Sequence, residues 1–483
     1  MSMFKWDVVD PAPGQPVAPD QRLAWGKTIG IGAQHVVAMF GATFVFPLIM
    51  GLDPNLAILM SGIATICFLL IVKGAVPSYL GTSASFVGGA TAIYTYSGGD
   101  GPGGPADVTG AILVSGVVLA LVGVVIHFLG ADVVNKLLPP VVTGGVVMVI
   151  GFNLAGVATD IYMPADRWMA IITMTAVVLM AVGLRGFLGR IAIFLGLIFG
   201  YLLSWIFDVI GVGGVEGDRV NWDSVKSADW LGFPRHTVEG LVGNQNDPAI
   251  NNMAAVGWHW PSFSITFALL ALPAVIALVA ENMGHVKAVA GMTGRDLDPV
   301  MGRAIAADGV ATVITSSVGG SPTTTYAENI GVMAATRVYS TAAYFVAAIV
   351  AILLGFIPKF GAIVAATPGG VLAGITLVLY GMIGLLGAKI WIENKVNFAN
   401  PVNLVPIAAG LILAIGLGTD GFFKITDDFQ LGGIALGTIV VIVGYHVAKA
   451  IAPPDIEGTM MAVGTTGAHE ADHAAPHRHE PTE

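Results

Sequence analysis

The chain has 483 residues, 55% of them hydrophobic and only 11% charged, against about 25% charged in ordinary soluble domains. A chain so long and so apolar cannot hide its surface in one water-soluble core, and the lipid bilayer is the alternative solvent. A formal net charge of −10 argues against a nucleic-acid partner, and a lone cysteine, Cys67, leaves no disulfide framework.

Residues 1–27 are polar and proline-rich, without the charged-then-apolar pattern of a cleaved signal peptide. They read as a cytoplasmic N-terminal segment ahead of a first span that serves as the insertion signal. A spanning helix needs about 20 mostly apolar residues. Such stretches fall at 28–50, 55–73, 80–97, 108–130, 137–158, 167–184, 190–212, 263–286, 300–318, 324–337, 338–357, 366–388, 402–418 and 431–450, which makes about fourteen. With the N-terminus inside, 15 of the 21 Lys and Arg fall on the inner side, the partition expected of cytoplasmic loops. Both ends are then cytoplasmic.

The segment 213–262 is the one large extramembrane piece, and it divides the spans seven and seven. An odd number per half makes the halves enter from opposite sides, the inverted-repeat plan of many secondary transporters. Span five (Pro140, Gly144, Gly151) and span twelve (Pro368, Gly374, Gly381) share a proline followed by glycines seven apart. Spans three (VPSYLGTSASFVGG) and ten (GGSPTTTYAENIGVM) are both rich in Pro, Gly, Ser and Thr. Neither suits a plain crossing helix, and irregular backbone at membrane depth survives only where it is buried in protein or lines a cavity. Each is therefore expected to be an extended stretch followed by a half-helix, with the two half-helix N-termini facing one another near the midplane. Their free N–H groups suit carbonyl oxygens or anions.

Ionisable residues within spans are costly and become functional candidates. Glu281 and His285, four apart in span eight, share one helical face and can share a proton. Locking helix packing is the plainer alternative. Glu328 follows Tyr326 and Ala327 where span ten turns helical, either as a cap or as a substrate or gating group. Gln34 and His35 in span one serve packing or function equally well. Asp308 reads as a weaker candidate near the cytoplasmic interface. The histidine-rich tail, 452–483, reads as a solvated low-complexity segment. No GxxxxGK[ST] loop, HExxH or Cys/His cluster is present, which leaves ATP-driven transport, a membrane enzyme or a metal site without support.

These motifs resemble the nucleobase–ascorbate transporter family, also called nucleobase:cation symporter-2. QHVVAMFGATFVFPLIMGLDP is similar to its first-span motif. ENIGVMAATR fits its signature, with Glu328, Asn329, Gly331, Thr336 and Arg337 in place. LVAENMGHVKAVAGMTGRDLDPVMGRA resembles the uracil-permease branch, near the permeases of pyrimidine utilisation. The resemblance implies an all-α polytopic fold in the bacterial inner membrane, with short strands leading into the half-helices of segments 3 and 10. It implies a core domain (28–130 and 263–357), a gate domain (131–212 and 358–451), an extracytoplasmic loop (213–262) and a homodimer. It implies a proton-coupled importer of a pyrimidine, uracil or thymine, with no cofactor beyond the proton.

Glu281 and Glu328 match the family's acids at the base, His285 the partner of the first acid, and the backbone around Ala84 and Ala327 the groups that meet ring carbonyls. Ser83 and Tyr326 lie beside these, while Gln34, His35, Asn329, Thr336 and Arg337 support them. Ala84 departs from the Phe of the family's uracil permeases, which puts the pocket shape in doubt. Purine-transporting members carry Gln where Glu328 stands. The rivals are a purine, xanthine or urate symporter, an uncoupled facilitator and an anion exchanger.

Overall fold

A computed structural model of the chain describes residues 5–12, 15–98, 101–130, 136–212, 218–234, 256–418, 421–426 and 430–453. The histidine-rich stretch of the tail lies outside them, as does 235–255 of the predicted extracytoplasmic loop.

In chain order the principal helices are α1 (Trp25–Ile49), α2 (Pro54–Ile71), α3 (Val87–Tyr94, entered through a 3-10 turn at Ala84–Phe86), α4 (Pro105–Leu129), α5 (Pro140–Asn153), α6 (Arg167–Gly183), α7 (Ala192–Ile210), α8 (Ile265–Thr293, with a junction at Leu272), α9 (Asp298–Ser316), α10 (Ala327–Thr336), α11 (Thr341–Gly355), α12 (Gly369–Glu393), α13 (Pro401–Leu417) and α14 (Gly433–Ile451). The strands are short: β1 (Asp7–Val8), β2 (Gln21–Arg22), β3 (Leu80–Thr82), β4 (Thr323–Thr325), β5 (Phe422–Lys424) and β6 (Gln430–Gly432). Among the described residues, eight helical stretches are long and apolar enough to cross a bilayer, and α11 with the helix Pro358–Ala365, bent by 83°, makes a ninth. Length and composition thus recover fewer crossings than the fourteen predicted. α3 and α10 are too short, and α9 carries Arg303 and Asp308 within its length.

Helix starts follow local chemistry. Asp53 accepts the Leu56 N–H at 2.9 Å ahead of Pro54, and Asp166 accepts the Met169 N–H at 3.0 Å at the head of α6. Glycine sets the closest crossings, because without a hydrophobic drive between helices in lipid, close backbone approach supplies the attraction. Gly116 and Gly123 of α4 face Gly302 and Gly309 of α9, and a Cβ on Gly309 would run into the Ala120 backbone. Gly144 and Gly151 of α5 likewise meet Gly387 and Gly384 of α12. Gly381, the predicted counterpart of Gly151, faces open space and takes no part in that crossing.

The packing partners recur with an offset of seven helices. α4 lies along α9, and α2 along α11. α1 meets α11, and α8 meets α4. α6 packs on α7 and on α12, while α13 packs on α14 and on α5. At the centre, β3 and β4 form an antiparallel ribbon in the register Leu80↔Thr325, Gly81↔Thr324 and Thr82↔Thr323. The ladder extends at both ends, with Ser83 N donating to Pro322 O at 2.9 Å and Tyr326 N donating to Tyr79 O at 3.1 Å. Its two edges are covered by side chains. Leu80 N donates to Thr65 Oγ1 of α2 at 2.9 Å, and Thr323 N donates to Thr312 Oγ1 of α9 at 3.2 Å. Each buried backbone donor left without an acceptor would cost about 1–3 kcal/mol.

The N-terminal segment is more than a polar leader. Val17 N donates to Arg337 O at 2.9 Å and Val17 O accepts from Tyr339 N at 2.8 Å, while Asp20 pairs with Arg295 at 2.8 Å. Trp6 Nε1 donates to Thr341 Oγ1 at 2.8 Å. The segment straps the end of α10 to the α8–α9 turn.

Replacing Thr65 or Thr312 by Val keeps the shape but strips the ribbon edge of its acceptor. Each variant is expected to lose about 1–3 kcal/mol of stability, read as a lower thermal unfolding midpoint in detergent, with Ser restoring most of it.

Candidate functional site

Because the ribbon is antiparallel, one half-helix starts just beyond each of its two ends, at Ala84 and at Ala327. The first-turn N–H groups of a helix have no intrahelical acceptor. Ala84, at the head of the turn into α3, is half-buried, and Ala327, at the head of α10, is exposed, so both N-termini border an accessible cleft. Gly81 is required here, because a Cβ would collide with the Tyr326 ring lying over β3. That ring is buried, and its hydroxyl donates to Thr82 O at 2.7 Å and accepts from Thr43 Oγ1 at 3.1 Å. Ser83 Oγ accepts the Ser85 N–H at 3.3 Å. The Tyr326 hydroxyl thus both donates and accepts within the scaffold, while Ser83 Oγ serves it as an acceptor.

α8, α9 and α10 each supply one carboxyl group, those of Glu281, Asp308 and Glu328. Glu281 is partly accessible, and the carboxyl groups of Glu281, Asp308 and Glu328 stand close enough to interact. Three like charges at membrane depth make the net charge of the cluster the quantity that ligand and protons must balance. His285 does not bond to Glu281 among the described residues, although the two share a helix face. Its Nδ1 meets Thr325 Oγ1 at 2.8 Å instead.

From that contact a relay runs inward. Thr325 Oγ1 donates to Asn282 Oδ1 at 3.0 Å, and Asn282 Nδ2 donates to Asp308 Oδ2 at 2.7 Å. Thr323 Oγ1 donates to Asp308 Oδ1 at 3.3 Å and lies 2.9 Å from Thr312 Oγ1. A hydroxyl has a single proton to give. Because Thr325 spends its proton on Asn282, His285 must donate through Nδ1, which leaves Nε2 as the nitrogen that gains or loses a proton.

Of the remaining candidates, Asn329 bonds α10 to α1 by donating from Nδ2 to His35 O at 2.9 Å, with His35 Nδ1 at 3.2 Å. His35, 0% exposed, stacks on Tyr344 at 4.3 Å, and its Nε2 is buried without a hydrogen-bond partner among the described residues. Gln34 Oε1 is buried without a hydrogen-bond partner among the described residues. Thr336 and Arg337 close the far end of α10. Thr336 Oγ1 donates to Val332 O at 2.9 Å and Arg337 turns left-handed at φ 56°, about 14 Å along the helix from Glu328 at 1.5 Å per residue. Asp308 is 0% exposed behind β4 rather than near the cytoplasmic interface, since it lies mid-way along α9. Asn282, Thr323 and Thr325 escaped the sequence reading. The signal available was the alternation of Thr323 and Thr325, which a strand turns to one face.

Access is one-sided. Gly284 and Lys287 on α8 and Ala327, Ala334 and Ala335 on α10 are exposed, whereas α3 is buried along its whole length. Accessible surface next to the ribbon therefore lies on the side of α8 and α10, and not along α3. No group of three His, Cys, Asp or Glu among the described residues could hold a metal ion.

The family profile described as "Permease family" matches residues 26–421. "Putative pyrimidine permease RutG" of Escherichia coli (strain K12) is 44% identical over 88% of this chain and 90% of its own length. The uracil permease of Bacillus caldolyticus is 36% identical and that of Bacillus subtilis (strain 168) 34%, each over 86% of this chain, covering 90% and 91% of their own lengths. Among solved structures, the fold is similar to the transmembrane domain of the cyanobacterial bicarbonate transporter BicA, with a TM-score of 0.56 at 12% identity over 82% of this chain and 96% of that one. It is also similar to the murine anion transporter Slc26a9 in the inward-facing state, with a TM-score of 0.58 at 9% identity over 91% of this chain and 69% of that one.

Asn282 holds both Thr325 and Asp308. Asn282→Leu leaves Asp308 one donor short, and a charged hydrogen bond is worth about 1.5–3 kcal/mol. Ligand affinity measured by calorimetry on purified protein is expected to fall about tenfold or more, with Asn282→Asp failing to rescue it.

Proposed function

The chain belongs to the nucleobase–ascorbate transporter family, and on that premise we propose that it is a proton-coupled symporter importing a pyrimidine nucleobase, uracil above all, with thymine the next candidate. The observation that carries this reading is the meeting of two half-helix N-termini and a wall of carboxylates at one cleft. Uracil is planar and neutral, with ring N–H donors beside C=O acceptors. Carboxylates of Glu281 and Glu328 accept from ring N–H groups, and the N–H groups at Ala84 and Ala327 donate to the carbonyls. The names of the relatives, uracil and pyrimidine permeases, support the same substrate class.

The proposal includes a proton step confined to side chains. A crowded carboxylate cluster in a dry site is costly while unpaired. Glu281 and Glu328 take up a proton when they face the side of higher proton activity and release it on the other. His285 Nε2 is the adjoining site, wired through Thr325 and Asn282 to Asp308. Substrate and proton then cross together because each relieves the charge that the other would leave uncompensated.

The architecture proposed for this work has fourteen segments in two inverted halves, both ends in the cytoplasm of a bacterial inner membrane, in a homodimer. Support for the repeat comes from the offset of seven in the packing partners and from a ribbon that pairs the same position of each half with itself, antiparallel. The denser packing within α1–α4 with α8–α11, and within α5–α7 with α12–α14, supports a core that moves against a gate. An anion transporter is similar in fold, but the carboxylates proposed to line this site would repel an anion.

Uptake of radiolabelled uracil into cells or proteoliposomes tests the reading. It is expected to collapse on addition of a proton uncoupler, to be competed by thymine more than by xanthine, and to be untouched by sulfate. Glu281→Gln should weaken binding about ten- to a hundredfold and reduce uptake to background. Uncoupler-sensitive uptake at the parent rate in that variant would defeat the scheme.

A further inference from the structure

The closed side of the cleft has one conspicuous fastening. Tyr96, two residues past α3, is 1% exposed, and Gln430, the first residue of β6, is 8% exposed. Gln430 N donates to Tyr96 OH at 3.3 Å, and Ser97 Oγ donates to Gln430 Oε1 at 3.2 Å. The Tyr96 ring is held edge-on between Phe422 of β5, 5.7 Å away, and Phe267 of α8, 5.6 Å away. Further along, Ala92 of α3 abuts Gly432, and Gly88 abuts Ile434 at the head of α14. The contacts to Phe422, Gln430, Gly432 and Ile434 join α3 and its end to the β5–β6 hairpin and the head of α14, while Gly89 of α3 packs on Leu270 and Ala271 of α8.

The opposite half of the repeat is a built-in control. Tyr96 stands twelve residues beyond Ala84, and Tyr339 stands twelve residues beyond Ala327. The two tyrosines occupy corresponding places past their half-helices. Tyr339 is only half-buried and its N–H donates to Val17 O at 2.8 Å, on the N-terminal strap, while Ala334 and Ala335 of α10 are exposed. One half-helix is fastened to the neighbouring helix group and the other is open. In an alternating-access cycle the two ends exchange roles, and a fastening at one end with the other end open is what one state of such a cycle presents.

We infer that the Tyr96–Ser97–Gln430–Phe422 contact is a releasable latch that seals one access route to the site, and that it must part when the cleft opens on the side of α3. This rests on the alternating-access reading above. The energetics suit a latch. The two hydrogen bonds between neutral groups and the one aromatic edge, Tyr96 on Phe422, make a contact that a shift of conformation can break, unlike a covalent or ion-paired tie. None of the four residues Tyr96, Ser97, Gln430 and Phe422 is a carboxylate, an imidazole or an amine, so the contact is coupled to substrate and protons through movement of the helices it joins.

Cross-linking in the full-length protein tests this. In a Cys67→Ala background, Ser97→Cys and Gln430→Cys are joined by a short bis-thiol reagent in proteoliposomes. The cross-link is expected to form readily, to stop uracil uptake, to leave uracil binding from the open side intact and to be reversed when a cleavable reagent is reduced. Cross-linked protein that transports at the parent rate overturns the latch. A second readout needs no substrate. Ala92→Cys is labelled by a membrane-impermeant maleimide with and without Tyr96→Phe and Gln430→Ala. Loss of about one net hydrogen bond is expected to raise the labelling rate about fivefold. An unchanged rate overturns the proposal even if uptake assays place uracil elsewhere. If the parent binds no uracil, the substrate reading fails while the labelling result still decides the latch.

Discussion

The structure depends on how six residues of backbone are kept hydrogen-bonded at membrane depth. A half-helix must be led in by extended chain, and extended chain in hydrocarbon has no water to satisfy its amides. Pairing the two leads with each other, β3 against β4, answers half of the demand. Thr65 and Thr312 answer the rest by offering hydroxyls to the outer edges at Leu80 and Thr323. Everything of functional interest then follows in space: the ribbon fixes where α3 and α10 begin, and so where their free N–H groups point. The Tyr326 ring laid over Gly81 clamps this arrangement to α1 through Thr43.

On the two sides of that ribbon the chemistry is unequal. Thr65 and Thr312 do the same task in the two halves, yet four residues before them stand Ser61 and Asp308. One residue past Ala84 stands Ser85, and one past Ala327 stands Glu328. Ser61 bonds the Tyr79 hydroxyl at 2.8 Å, while Asp308 anchors the relay that runs through Asn282 and Thr325 to His285. The first half of the chain thus contributes dipoles and hydroxyls, and the second half contributes the carboxylates and the imidazole. A neutral ligand with donors on one edge and acceptors on the other fits such a divided site. A symmetric ring of acids would not suit it, because the repulsion would exceed what a single planar solute can relieve.

Much of this was legible in the residues. The apolar composition demanded a bilayer. The Pro/Gly/Ser/Thr character of 80–97 and 324–337 announced broken helices, because no plain crossing helix would tolerate it. Glu281, His285 and Glu328 stood out since ionised groups in apolar runs are costly. What the residues obscured were pairings. Glu281 and His285 sit one turn apart, which suggested a bonded pair, but the strand brought Thr325 to the imidazole first. Asp308 lay near Arg303 in sequence and looked interfacial, but α9 carries it behind the ribbon, out of reach of solvent. Tyr326 and Ser83 lie beside the half-helix starts, and the bonds the Tyr326 hydroxyl makes to Thr82 and Thr43 could not be read from the sequence.

The sequence by itself determined the solvent, the places where helices had to break, and which ionisable side chains lie within apolar segments, because those follow from local composition and the cost of burying polar groups. Tertiary structure alone decided which hydroxyl satisfies which edge, which partner His285 takes, that Asp308 is sealed, and that one end of the cleft is fastened by Tyr96 and Gln430 while the other stands open. These are contacts between residues tens to hundreds of positions apart. No local pattern can specify them, since each depends on the register in which separate helices meet.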